Sequence, residues 1–160
     1  MNSNRTVALT LALLMISCSL FVFTTVVRGE GGWVTDITIV EQSGYTLTNY
    51  TITINLNESN WDGWDYVAPN GSDVYFLDAL GNPLYYWIEY FNATEKKATI
   101  LVKIPEVPAN GCVTIQMCFG AANPYSEYND RERVYLFYDD FEDLSKWSET
   151  VSTSGGTVTH

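Results

Sequence analysis

The chain has 160 residues, and its 19 acidic against 8 basic residues give a formal net charge of −11. This length is enough to bury one hydrophobic core, and the excess of carboxylates argues against a nucleic-acid partner, because it repels polyphosphate. His160 is the only histidine, which excludes Ser/His/Asp catalysis, Cys/His catalysis and histidine-zinc chemistry.

An apolar N-terminal segment comes first. Residues 7–27 carry no charge and lie between Arg5 and Arg28, a pattern typical of a secretory signal peptide that ends near Gly29. At about 1.5 Å per residue the segment spans roughly 30 Å, so it is also long enough to remain as a helical membrane anchor. We therefore expect residues 1–29 to export or anchor the protein, and we expect contact with a membrane only there.

The remainder of the chain has features of an exported protein. All 19 carboxylates but only six cations follow residue 29, so this part has a formal charge of −13. It also contains four N-x-S/T sequons, which accept N-glycans in exported proteins. Their asparagines are Asn49, Asn57, Asn70 and Asn92. We expect an extracellular or cell-surface glycoprotein whose partners are extracellular glycans or other surface proteins.

Period-two alternation predicts the strands of the first half. Strands are expected at residues 33–40, 50–56 and 73–77, and a turn at 78–83. Residues 57–72 have no period and many turn formers, which predicts a long loop. The side chains expected to face the core are Thr35, Ile37, Ile39, Tyr50, Ile52, Ile54 and Leu56.

Residues 84–120 predict a meander of three strands, and residues 133–138 a last strand. The inward faces are expected to hold Tyr85, Trp87, Glu89 and Phe91, then Ala98, Ile100, Val102 and Ile104, then Val113, Ile115, Met117 and Phe119. Seven short strands without an amphipathic helix indicate an all-β, antiparallel β-sandwich over residues 30–138. Jelly-roll or Greek-key connections are expected, with the apolar helix in front of the sandwich.

Residues 139–160 contain an acidic turn and the apparent start of another strand. A strand that begins and stops can neither bury a face nor pair its backbone. Either it pairs back onto the sandwich, or it opens an incomplete second β domain.

Two cysteines follow the leader, on one predicted strand. Six residues along a strand would separate the Cα atoms of Cys112 and Cys118 by about 20 Å, against a usual limit near 7 Å for a disulfide. We predict no disulfide and two small, unpaired packing cysteines.

Four ordered segments carry a family resemblance. They are residues 70–76, 86–89, 102–105 with 110–111, and 137–142. Together they resemble the domain of unknown function 2341 family, typical of secreted and surface proteins of archaea and some bacteria, over residues 33–141. The motif positions are Gly71, Ser72, Asp73, Trp87, Glu89, Lys103, Pro105 and Gly120.

The resemblance implies a fold and an exported location but no reaction, because the family has no agreed activity. A Tyr-Gly-Asn group usually closes the meander in this family, whereas this chain has Phe119-Gly120-Ala121. Members often continue into a concanavalin-A-like sandwich, which would make residues 145–160 its opening. Some bacterial members are instead joined to a proton-channel subunit of the ExbB/TolQ type.

The long loop is the favoured candidate for a ligand site. Aromatic rings stack on apolar sugar faces, and neighbouring carboxylates accept hydrogen bonds from hydroxyl groups. The candidate residues are Trp61, Asp62, Trp64, Asp65 and Tyr66. The alternative is that Trp61 and Trp64 fold back and cover one end of the sandwich, since large aromatic side chains dominate burial.

Glu89 is the candidate for acid catalysis, because a buried carboxyl group can keep its proton and act as a general acid. A glycosidase needs a second carboxylate about 5 to 9 Å away. Asp73 and Asp78 are the nearby suggestions, and no spacing ties either to Glu89. The alternative is a structural carboxylate that pairs with Lys103 or with the backbone.

An acidic run could hold calcium, which prefers carboxylate and carbonyl oxygens. Its members are Asp139, Asp140, Glu142 and Asp143. The alternative is a solvated acidic turn. No other cofactor is expected.

Three functions are therefore open. The first is a non-enzymatic extracellular surface module for glycan binding, adhesion or structure. The second is a hydrolase domain that acts on polysaccharide with Glu89 as the acid. The third is an accessory domain of an ExbB/TolQ-type energised transport complex.

Overall fold

The computed structural model describes residues 24–29 and 32–136. Within these residues the chain forms two antiparallel sheets and little helix, which confirms the all-β class. The strands are β1 Thr24–Gly29, β2 Gly32–Val40, β3 Leu47–Asn57, β4 Tyr75–Leu77, β5 Tyr86–Asn92, β6 Lys97–Val107 and β7 Cys112–Phe119, and helix α1 is Arg131–Val134. One sheet has the order β1-β2-β7-β4 and the other β3-β6-β5. Short 3₁₀ turns lie at Gly63–Asp65 and Ser126–Tyr128.

The alternating faces of four strands build the core. The register places Ile37 of β2 opposite Ile115 of β7, and Ile54 of β3 opposite Ile100 of β6. Buried side chains from both sheets form one hydrophobic cluster. The predicted inward faces of β2, β6 and β7 are confirmed, as is that of β3 except at Tyr50, which is exposed.

The predicted inward face of β5 is wrong for Tyr85, Trp87 and Glu89 and correct for Phe91, because the strand contains a β-bulge. Tyr86 and Ile88 pair with Val102 and Ile100, and the register then shifts by one residue at Glu89. After the shift, Phe91 pairs with Ala98 on the core face. Before the bulge the even-numbered residues therefore point inward, and after it the odd-numbered ones do.

The strand predicted at residues 133–138 is also wrong where the structure describes it. Asp130 caps a helical turn, since its carboxylate accepts hydrogen bonds from the backbone N–H groups of Glu132 and Arg133 at 2.9 and 3.2 Å. This turn buries Val134, which explains the apolar residue without a strand. Residues 137 and 138 lie outside the described part.

The last residues of the predicted leader are extended. Strand β1 pairs with β2 from Thr24 opposite Ile37 to Gly29 opposite Gly32. The expected apolar helix is therefore not present at residues 24–27, and the rest of the 7–27 segment lies outside the described residues. No helix in the described ranges has the length and apolar character needed to cross a bilayer.

Both cysteines of β7 are free, as predicted. Cys118 is buried, with Val34 of β2 on one side and Tyr75 of β4 on the other. Cys112 is exposed, so a packing role is wrong for this residue.

Candidate functional site

The segment between β3 and β4, residues 58–74 and here called the aromatic loop, closes one end of the core. Trp61 and Trp64 are only 3 % and 6 % exposed. The Trp61 ring lies edge-on to the rings of Trp64 and Phe119, at centroid distances of 4.5 and 5.0 Å. Its Nε1–H donates a hydrogen bond to the buried Thr35 Oγ1 at 3.1 Å. The sugar-stacking role predicted for the two tryptophans is therefore wrong, and their role as a cover is confirmed.

The other three residues of the predicted ligand site lie on the outer side of the aromatic loop. Asp62 and Asp65 are exposed, and the Tyr66 side chain is 49 % exposed. The Tyr66 ring stacks on Trp33 with centroids 4.1 Å apart. Contact of these three residues with a ligand stays a prediction.

The aromatic loop is fastened to β7 by one carboxylate. Both oxygens of Asp73 lie 3.0 Å from the backbone N of Ala68, and Oδ2 accepts a second hydrogen bond from the N–H of Gly120 at 2.8 Å. Asp73 thus joins the loop to the end of the meander, 47 residues further along the chain.

Two glycines make this joint possible. Gly71 and Gly120 have φ angles of +70° and +78°, which L side chains rarely adopt. A Cβ atom on Gly71 would lie 2.7 Å from the Phe91 ring, and one on Gly120 would lie 2.7 Å from Cδ1 of Trp33. The backbone conformation and the lack of space therefore require glycine at positions 71 and 120. Residues 71, 73 and 120 are here called the joint.

Glu89 is the bulge residue of β5 and is exposed, so the prediction that it faces inward is wrong. Its Oε2 accepts a hydrogen bond from the hydroxyl of Tyr135 at 2.5 Å. Within the described residues it forms no ion pair with Lys103. The Lys103 backbone N–H instead donates to the carbonyl of Tyr85 at 2.8 Å.

The four sequons lie at the surface, in turns or near strand ends. Asn49, Asn57 and Asn70 are exposed, and Asn92 is half-buried. In three of them the asparagine Oδ1 accepts a hydrogen bond from the backbone N–H two residues on. These N···O distances are 2.9 Å at Asn57, 3.2 Å at Asn70 and 3.0 Å at Asn92. Attachment of a glycan stays a prediction.

Residues 121–136, here called the strap, run from β7 back onto the sheet that contains β5. Asn123 Nδ2 donates to the Val74 carbonyl at 2.9 Å and to the hydroxyl of Tyr86 at 2.8 Å. Near the other end of the strap, the Thr51 hydroxyl donates to the Val134 carbonyl at 2.7 Å. The strap is therefore fixed at both ends.

Two surface grooves flank the start of β5. An apolar groove of about 490 Å³ has Leu80, Ile104 and Ile115 in its wall. A second groove of about 530 Å³, here called the cationic groove, contains both Lys103 and Arg133 in its wall. Sequence reasoning missed the cationic groove because its residues are far apart in the chain. The available signal was the small number of Lys and Arg residues, which makes each of them a candidate for binding an anion.

A carboxylate also organises the end of the molecule opposite the joint. Glu41 follows β2, is 3 % exposed, and accepts hydrogen bonds from the backbone N–H groups of Ser43, Gly44 and Asn110. The contacts with Ser43, followed by that with Asn110, lower the pKa of Glu41 to about 2. Glu41 therefore remains ionised and holds two turns together.

A comparison with protein families finds one match in this chain. A family model described as a domain of unknown function, DUF2341, matches residues 70–151. The chain belongs to the DUF2341 family. The match begins just before the joint, and it includes the strap. No curated protein and no solved structure gives a significant match.

The remaining positions of the predicted family motif have varied surroundings. Ser72 is exposed and Trp87 is half-buried, with the guanidinium carbon of Arg131 6.0 Å from the Trp87 ring centroid. Lys103 and Pro105 line the cationic groove. The motif thus supplies both the joint and part of a groove.

The calcium ligands proposed for this DUF2341 chain lie outside the described residues, as do all positions from 137 onward. Within the described part, no group of three or more His, Cys, Asp or Glu side chains could hold a metal ion. Burial is the main cause that raises the pKa of the Cys118 thiol and that of Tyr75, the latter to about 12. Both groups are therefore protonated at neutral pH, and Cys118 is a poor nucleophile.

Proposed function

We propose that this DUF2341 chain is a non-enzymatic extracellular surface module on a β-sandwich scaffold, which acts by binding or by spacing other components. The joint is the observation that carries the proposal. Asp73 and Gly120, two positions of the predicted family motif, hold the aromatic loop against β7, and Gly71, a third, lets the loop pack closely on Phe91 of β5. Residues that are engaged in such internal contacts specify a scaffold, whereas a catalytic site needs polar groups that converge on open space.

Charge and sequons support the extracellular location. The part after residue 29 has a formal charge of −13, which favours solubility. Asn57 and Asn70, which lie outside the cationic groove, are exposed, as N-glycan acceptors must be.

Protease digestion of intact cells that produce the full chain tests the location. We expect external protease to remove the chain while a cytoplasmic marker protein survives. A chain that is digested only after lysis would overturn the proposal.

The release of reducing ends from polysaccharides tests the absence of catalysis. We expect no release by the full chain, and Glu89→Gln is the matched variant because it keeps the shape of the side chain. A hydrolysis that Glu89→Gln abolishes would replace this proposal with the hydrolase alternative. The transport-complex alternative rests on the resemblance alone.

A further inference from the structure

We propose that the cationic groove binds a carboxylated saccharide, that is, an oligosaccharide containing uronic acid. This inference deepens the proposed function, since it gives the extracellular module a ligand class and a site. Four segments of the chain build the groove, through Asn49 of β3, Tyr85 just before β5, Lys103 of β6 and Arg133 of α1.

The charge of the groove is opposite to that of the protein. Lys103 and Arg133 are two of only eight cationic residues in a chain with a net charge of −11. Among the described residues, no carboxylate lines the groove, although Glu106 and Glu132 are close in sequence to its residues. Neither cation forms an ion pair within the described residues. Both are therefore available to an external anion.

The surrounding structure holds the backbone of Lys103 and the side chain of Arg133 beside the groove. Lys103 lies opposite Thr51 in the β3–β6 pairing, and its backbone donates to the Tyr85 carbonyl. The guanidinium carbon of Arg133 lies 5.7 Å from the Tyr85 ring centroid, within the range of a cation–π contact. The hydrogen bond from Thr51 to Val134 holds α1, which carries Arg133, against β3 at the position that pairs with Lys103. The backbone that carries both cations is therefore held in place beside the groove.

The other groove residues favour a saccharide over a simple anion. Pro83 and Pro105 offer apolar surface for the C–H face of a sugar ring, and the exposed Asn49 amide can pair with hydroxyl groups. The volume of about 530 Å³ lies within the usual range for small-ligand sites. A uronic acid combines a carboxylate, hydroxyl groups and an apolar face, so it can use all of these residues.

Calorimetric titration of the full chain with trigalacturonate tests the proposal. The protein is made in a host that adds no N-glycans, because Asn49 is a sequon as well as a groove residue. Binding is expected to weaken as salt increases, since ionic attraction is screened. The neutral galactotriose is expected to bind at least about tenfold more weakly, since it lacks the charge-assisted contacts.

The variants Lys103→Ala and Arg133→Ala are each expected to weaken trigalacturonate binding by about tenfold or more. Lys97→Ala is the matched control, because it removes an equal charge from the same strand outside the groove. Lys103→Arg keeps the charge and is expected to retain most of the binding. Unchanged circular dichroism shows that each variant has folded.

Several results would overturn the inference. They are an absence of binding, equal affinity for galactotriose, an equal loss in Lys97→Ala, and equal affinity for acetate. If binding appears only after Asp139→Asn and Asp140→Asn, the occupant of the groove is the chain's own acidic run and not a saccharide. None of these results alters the protease test of location, so the two proposals can fail separately.

Discussion

The aromatic loop and the strap are both rich in aromatic side chains, yet they use them in different ways. In the loop, Trp61 and Trp64 lie inside the core and direct their indole N–H groups to internal acceptors. In the strap, Tyr125 and Tyr128 are half-buried and contact Tyr75 and Tyr85 at the sheet surface. An aromatic-rich segment is therefore not by itself evidence for a binding site.

The difference follows from what each segment covers. The aromatic loop spans the end of the core, where a large apolar side chain gains most by leaving water. The strap instead follows the outer edge of β5, where the Asp130 N–H donates to the Tyr86 carbonyl at 2.9 Å, and the rings of Tyr125 and Tyr128 stay half-buried. The same residue types thus contribute core stability in one region and an accessible surface in the other.

The largest expected difference between the two regions is the loss of stability when one aromatic ring is removed from each. We expect Trp61→Ala to lower the free energy of unfolding by about 3–5 kcal/mol, the usual cost of deleting a buried aromatic side chain. Tyr125→Ala in the strap should cost about 1 kcal/mol, because that ring is only half-buried. Urea unfolding followed by circular dichroism measures both values, and equal costs would contradict the distinction.

The next largest expected effect on stability comes from the joint, which holds the aromatic loop in place. Asp73→Ala leaves the N–H groups of Ala68 and Gly120 without their acceptor and should cost roughly 1–3 kcal/mol of unfolding free energy. Asp73→Asn retains one side-chain oxygen and should cost less. If Asp73→Ala unfolds at the same urea concentration as the unchanged protein, the loop is not held by this joint.

At the end of β2 and β7 opposite the joint, Glu41 is expected to make the stability of the fold depend on pH. Its pKa is about 2 in the folded protein against an ordinary value of 4.5. The stability that it contributes is therefore fully present above about pH 4.5 and is lost as the pH falls towards 2. Thermal unfolding across this pH window should show a smaller drop in midpoint for Glu41→Gln. Identical pH profiles would rule out this contribution.

The smallest expected effect concerns the attachment of the strap. Thr51→Val removes the hydrogen bond to the Val134 carbonyl, a loss of about 1 kcal/mol. Trypsin should then cleave after Arg131 and Arg133 about fivefold faster. Thr53→Val is the matched control, since Thr53 is exposed on the same strand. Equal cleavage rates in the two variants would show that Thr51 does not fasten the strap.

Period-two alternation was sufficient to predict most of the strands, because one buried face imposes it directly. It failed in β5, where one extra residue at Glu89 reverses the faces without changing the composition. It also failed at Arg133, where a capping aspartate three residues earlier favours a helical turn. The signal for that cap, Asp130, was present in the sequence.

The candidate sites were harder to predict from the sequence than the strands were. Burial of Trp61 depends on Thr35 and Phe119, which are distant in the chain. The cationic groove likewise unites residues from Asn49 to Arg133. The family motif indicated Asp73 and Gly120, but their contact emerged only from the fold.

The joint also has a consequence for how the chain folds. Asp73 cannot reach its partner until Gly120 has been synthesised, 47 residues later. A growing chain that lacks β7 therefore has no Phe119 against which to pack Trp61. Contacts of such long range form late and slow the folding of β proteins. The aromatic loop thus depends on completion of the chain, and in unfinished chains its tryptophans have no core to enter, which favours aggregation.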